Sequence, residues 1–179
     1  MRNESLEIIA PGVLNTPCNE AEALGSAVWL WMHSAAHCNA PLHALASALL
    51  PAIKHRQFVL AAEAGKPVFY LAWASFCEAA EARYLSRPPE LMPDADWASG
   101  DRIWILDWVA PFGHTRTLRH VVARLFANRC LRSLYHRGDE RGLRVMEFNG
   151  IAVTKEEARA WFFDHPIARG LPHIENSKQ

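Results

Sequence analysis

RIWILDWVA, residues 102–110, decides the fold. Apolar side chains occupy both of its alternating sets, so neither face is suited to water. The segment therefore predicts a strand in the middle of a sheet rather than at its edge. Asp107 is the exception, a carboxylate that needs a partner if it is to stay charged in such a place. PFG closes the strand. TRTLRHVVARLFANR (115–129) follows as a helix capped by Thr115, with Leu118, Val121, Val122 and Leu125 on its buried face.

Upstream, FVLAAE (58–63) and PVFYLAWASF (67–76) are rich in β-formers and separated by AGK, the pattern of a hairpin. CEAAEARYL (77–85) predicts a short helix, and RPPELMPDADWASGD (87–101) a loop dense in proline and acid. Downstream, CLRSLYHR and LRVMEFNG flank the turn GDERG as a second hairpin, and Thr154 with Glu157 forms a capping box for a helix through about Asp164. Near the start, Leu24, Val28 and Trp31 recur at helical spacing in a helix from Glu20 to about His37, broken by Asn39 and Ala40. Pro41 suits the first turn of a second helix toward Gln57, which Pro51 bends or divides. The expected organisation is an irregular leader over 1–20, one α+β domain over 21–165 with a mostly antiparallel central sheet flanked by helices, and a tail over 166–179.

The 179 residues, 50 % of them hydrophobic, suffice for one core. Nineteen Lys and Arg balance nineteen Asp and Glu, so no net field would hold nucleic acid or an anionic membrane. Cys18, Cys38, Cys77 and Cys130 form no C-x-x-C pair, which points to reduced thiols in a cytoplasm. No stretch approaches the roughly 20 apolar residues that span a bilayer.

WLWMHSAAHCNAPLH (29–43) concentrates three histidines, a serine and a cysteine. Three chemistries are open to it. His33 and His37 have the H-x-x-x-H spacing of zinc enzymes, but Ser34 stands where H-E-x-x-H has its glutamate, so no metal is expected. Cys38 and His37 are adjacent and on a helix would point about 100° apart, which disfavours a nucleophilic pair. The third is general base catalysis by His37 supported by Asp107, with Ser34 on the same helical face. Against it stands a structural reading in which Asp107 pairs with an arginine such as Arg102. No G-x-G-x-x-G, Walker motif or G-x-S-x-G occurs.

LGSAVWLWMHSAAHCNAPLH, LLPAIKHRQFVL, PVFYLAWASF, WASGDRIWILDWVAPFG and VMEFNG together resemble the RTX toxin-activating lysine acyltransferases, over about residues 22–150 in consistent order. That resemblance implies a fold similar to the GNAT acetyltransferases. It also implies a cytoplasmic enzyme moving a fatty acyl group from acyl carrier protein to internal lysine ε-amines of an RTX protoxin, with no tightly bound cofactor and with association into a homodimer. Carried over by position, it makes His37 the catalytic histidine, Asp107 the catalytic aspartate and Ser34 the nearby serine. Departures fall at Cys38 and Ala40, where the family has H-R-x-W-P, and at Ala48 in place of an asparagine. The helix opening at Thr115 carries Arg116 and Arg119, candidates for the phosphate of a phosphopantetheine arm or for acidic residues of the carrier. The alternatives are a catalytically weakened binding protein and a GNAT-like acyl-CoA-dependent N-acyltransferase.

Overall fold

A computed structural model describes residues 6–87, 91–135 and 144–168. Its strands are β1 (Glu7–Ile9), β2 (Phe58–Glu63), β3 (Lys66–Phe76), β4 (Arg102–Val109), β5 (Cys130–Leu134) and β6 (Val145–Asn149). Its helices are α1 (Pro11–Leu14), α2 (Glu20–Met32), α3 (Ala44–Ala48), α4 (Leu50–Lys54), α5 (Glu78–Ser86), α6 (Thr115–Leu125) and α7 (Lys155–Asp164). The strands form one sheet in chain order, antiparallel throughout except for β4 and β5. Those two run parallel because α6 crosses over between them, as a parallel pair requires.

The interior position expected for 102–110 is the one β4 occupies, and both faces of the sheet are covered. On one face Leu30 and Trp31 of α2, Ile53 of α4 and Tyr84 of α5 pack on Phe58, Tyr70, Ala72 and Trp104. On the other, Leu118 and Val122 of α6 pack on Val59, Phe69, Leu71, Trp73, Ile103 and Ile105. The β2–β3 hairpin turns on Ala64 and Gly65, both at positive φ (50° and 76°), the conformation that matches the twist of the strands it joins.

β4 contains one irregularity that decides the site. Ala72 of β3 pairs with Asp107, but the next residue, Trp73, pairs with Ile105, leaving Leu106 as an extra residue. Strict alternation would put Asp107 on the same face as Ile103 and Ile105, against α6. The bulge turns it to the α2 face instead.

Several expectations are corrected. Within the leader read as irregular, Glu7–Ile9 pair antiparallel with β2 and extend the sheet. The first helix ends at Met32 rather than near His37. The His33 side chain caps the Trp29 carbonyl there, and the chain continues in turns through Asn39. The second helix divides into α3 and α4 with Pro51 in the first turn of α4. α6 has His114, not Thr115, at its N-cap position without a side-chain cap, and it stops at Leu125 rather than Arg129. The capping box of Thr154 and Glu157 forms as read. The turn GDERG and the tail beyond 168 lie outside the described residues.

Candidate active site

The end of α2 and the turns after it bring three side chains to the bulge of β4. Asp107 Oδ1 lies 3.2 Å from His37 Nε2. Ser34 Oγ lies 2.9 Å from His37 Nδ1. An ionised carboxylate can only accept, so the neutral imidazole carries its proton on Nε2 and offers the Nδ1 lone pair to the Ser34 hydroxyl. Ser34, His37 and Asp107 thus form one hydrogen-bonded chain. The H-bond of Ser34 to His37 survives the early end of the helix, because the turn Ser34–His37 keeps a local backbone bond of 3.0 Å.

Trp31 completes this arrangement and was not singled out from the sequence. Its Nε1–H donates to Asp107 Oδ2 at 3.0 Å, and its ring stacks on His37 with centroids 4.8 Å apart. The only sequence signal was its place three residues before Ser34 in a helix carrying two nearby tryptophans. The Trp108 backbone N–H adds a third donor, at 2.9 Å to Asp107 Oδ1. The carboxylate is therefore fixed by three groups, and the His37 and Asp107 side chains keep 14 % and 18 % of their surface exposed. An imidazole held this way is oriented yet reachable from solvent. It can act as a base at Nδ1.

Tyr70 is a further group missed in the sequence. It shares the α2 face with Ala72, the residue paired to Asp107, and its buried hydroxyl has no hydrogen-bond partner among the described residues. Burial, with the nearby Asp107 charge adding to it, raises its pKa far above the ordinary phenol value, so it stays protonated.

The remaining candidates lie apart. Arg102, considered as a partner for Asp107, instead meets Glu81 at 2.7 Å at the opposite end of β4. Cys38 is exposed, with Sγ 3.9 Å from the Ala35 carbonyl. Ala40 and Ala48 are exposed as well. His33 turns Nδ1 to the Trp29 carbonyl at 2.8 Å, away from His37. Among the described residues, no three His, Cys, Asp or Glu side chains are grouped so as to hold a metal ion. Arg116 and Arg119 are exposed on α6, whose buried side covers the sheet face opposite α2, and no ion pair engages them among the described residues. The connection from β4 to α6 reaches the end of α2, where the Phe112 and His33 ring centroids lie 5.3 Å apart. β4 also outruns its parallel neighbour. The last β4–β5 pair is Ile105 with Ser133, so the edge of Leu106–Val109 beside Asp107 is left without β5.

The family described as RTX toxin acyltransferase matches residues 16–149. The chain is 38 % identical over 144 residues to the RTX-I toxin-activating lysine-acyltransferase of Actinobacillus pleuropneumoniae, covering 80 % of this chain and 83 % of that protein. It is 39 % identical over 153 residues to a protein-lysine palmitoyltransferase of Bordetella bronchiseptica (84 % and 82 % covered). It is 35 % identical over 139 residues to a protein-lysine myristoyltransferase of Kingella kingae (78 % and 83 % covered). Among solved structures, the loading GNATL domain of CurA from Lyngbya majuscula superposes with a TM-score of 0.50 over 73 % of this chain and 64 % of that one, at 9 % identity. The fold is therefore related to the GNAT acyltransferases. No helix among the described residues is long and apolar enough to cross a membrane.

Proposed function

Since the chain belongs to the RTX toxin-activating lysine-acyltransferase family, we propose that it moves a fatty acyl chain from acyl carrier protein to internal lysine ε-amines of an RTX-type protoxin in the cytoplasm. The observation that carries this reading is the chain of hydrogen bonds from Ser34 through His37 to Asp107.

An acceptor lysine with an ordinary pKa near 10.4 is neutral in only a small fraction of molecules at pH 7, a cost of roughly 4 to 5 kcal/mol before attack begins. His37 Nδ1 takes the amine proton, directly or through the Ser34 hydroxyl that already donates to it. Asp107 holds the tautomer and stabilises the imidazolium. The amine nitrogen bonds to the thioester carbonyl carbon, the carbon–sulfur bond breaks, and the imidazolium returns a proton to the leaving thiolate. The products are an amide and a free carrier thiol. The open edge of Leu106–Val109 offers backbone groups to the arm of the donor beside Asp107. Arg116 and Arg119, exposed and without ion-pair partners among the described residues, would meet the phosphate of that arm or acidic residues of the carrier.

The test supplies purified protein with labelled acyl carrier protein or acyl-CoA and a protoxin fragment. The expected result is transfer to lysine from the carrier-bound chain by wild type and not by His37→Ala. Preference for acyl-CoA would replace the donor. Equal transfer by both proteins would remove His37 from the chemistry. Light scattering on the same sample checks association of two chains.

A further inference from the structure

We propose that Trp29, His33 and Phe112 form a seat for the ε-ammonium of the acceptor lysine, occupied in the free protein by its own Lys66. The inference rests on the lysine-acylating reading above and concerns how the acceptor reaches the base.

Trp29 and His33 stand four apart at the end of α2, so their rings meet, with centroids 4.3 Å apart. Phe112 closes on His33 from the β4–α6 connection at 5.3 Å. Lys66, the first residue of β3, places Nζ 4.4 Å from the Phe112 centroid and 5.9 Å from that of Trp29, within the range at which a ring face attracts a cation. A carboxylate was available to it. Glu63 is the residue paired with Lys66 across the hairpin, yet its Oε2 lies 3.4 Å from His114 Nε2, and the lysine goes to the rings. The Lys66 ammonium thus lies against the rings, and Glu63 is engaged by His114 instead.

Position ties this seat to the reaction. Phe112 lies on the connection five residues after Asp107 and packs against the same core cluster as Trp31, whose ring stacks on His37. His33 donates Nδ1–H to the Trp29 carbonyl, which fixes its ring against Trp29. A carboxylate seat would favour the charged amine and make its deprotonation harder, whereas ring faces attract the cation more weakly and release it. Access is open. Trp29 keeps 41 % of its surface exposed, and Lys66 is an exposed side chain next to a two-residue turn, free to swing away when another lysine enters.

The experiment has two arms on the full chain. In the first, NMR follows the Trp29 indole signal during titration with n-butylammonium, without any acyl donor. Lys66→Met should shift that signal at lower titrant concentration than wild type, and Phe112→Leu combined with Lys66→Met should lose the response. No response in Lys66→Met overturns the seat whatever the activity. In the second, transfer to a lysine peptide gives separate KM values for peptide and donor. Lys66→Met should lower the peptide KM, and Trp29→Leu or Phe112→Leu should raise it, each by roughly 2- to 5-fold, with the donor KM unchanged. Unchanged peptide KM in all three variants, or a change confined to the donor, overturns the proposal. Absence of transfer by wild type from any donor, with the NMR response intact, would count against the acyltransfer reading and leave the seat standing.

Discussion

The two ends of β4 each anchor a carboxylate, and they treat it in opposite ways. At the start of the strand, Glu81 of α5 is fully buried and accepts from Arg102 Nη1 at 2.7 Å, Trp104 Nε1 at 2.8 Å, Arg132 Nη1 at 3.1 Å and the Ala168 N–H at 3.0 Å. Arg102 and Arg132 also donate to the carbonyls of Pro166 and His165, so the charge network ties β4, β5 and the segment after α7 into one knot. At the far end, Asp107 is partly exposed and one of its donors is an imidazole, a group that can change its charge. Donors that cannot titrate, sealed from water, make a structural clamp. A donor that can titrate, left reachable, makes a candidate site for proton transfer.

The contrast breaks first at His37. His37→Ala is expected to lower the acyl-transfer rate by about 10²- to 10⁴-fold with the thermal midpoint nearly unchanged, read by single-turnover assay and thermal melt. If the variant also unfolds, the open end of β4 is structural after all. Glu81→Ala should do the reverse. It leaves two buried guanidinium groups with only the exposed Glu78 and Glu147 carboxylates at 3.8 and 3.6 Å, and breaking such a buried pair costs up to about 3 to 5 kcal/mol, a loss that urea denaturation should show.

Asp107→Asn sharpens the comparison, because it keeps shape and removes charge. The rate should fall by about 10²-fold as the imidazolium loses its support, with a smaller loss of stability than in Glu81→Ala. Thr154→Ala, which removes the cap of the helix leading to the Glu81 knot, should cost about 1 kcal/mol. The pH dependence there has a fixed sign. The Thr154 backbone N–H and then its hydroxyl hold the Glu157 pKa below the usual carboxylate value, so its stabilising effect is present above the unfolded-state pKa and disappears as pH falls through the folded one. Helicity of α7 followed by acid titration of wild type against Thr154→Ala measures it.

Much of the fold was legible because local rules and tertiary packing agree. RIWILDWV is apolar on both sets and lies between two covered faces. AGK supplies the turn that FVLAAE and PVFYLAWASF need, and Thr154 with Glu157 caps the helix it begins. His37 and Asp107 could be read as anomalies, since each is a titratable group set among apolar neighbours. Their meeting could not be read, and neither could the alternation break at Leu106, because an extra residue in a strand looks like any other apolar residue until its partner strand is known. Glu81 gave no signal either, being one of two glutamates in a short helix. The leader hid a strand for a similar reason, as three residues at a sheet edge leave too short a pattern.

By itself the sequence determined which strand is central, where chain reversals and helix caps fall, and which side chains are chemically out of place, because these depend on neighbours within a few residues. Tertiary structure alone decided which acid serves which base. A bulge in β4 turned Asp107 toward Trp31 and His37, and burial sent Arg102 to Glu81, since a charge pair is chosen by distance in space and by access to water.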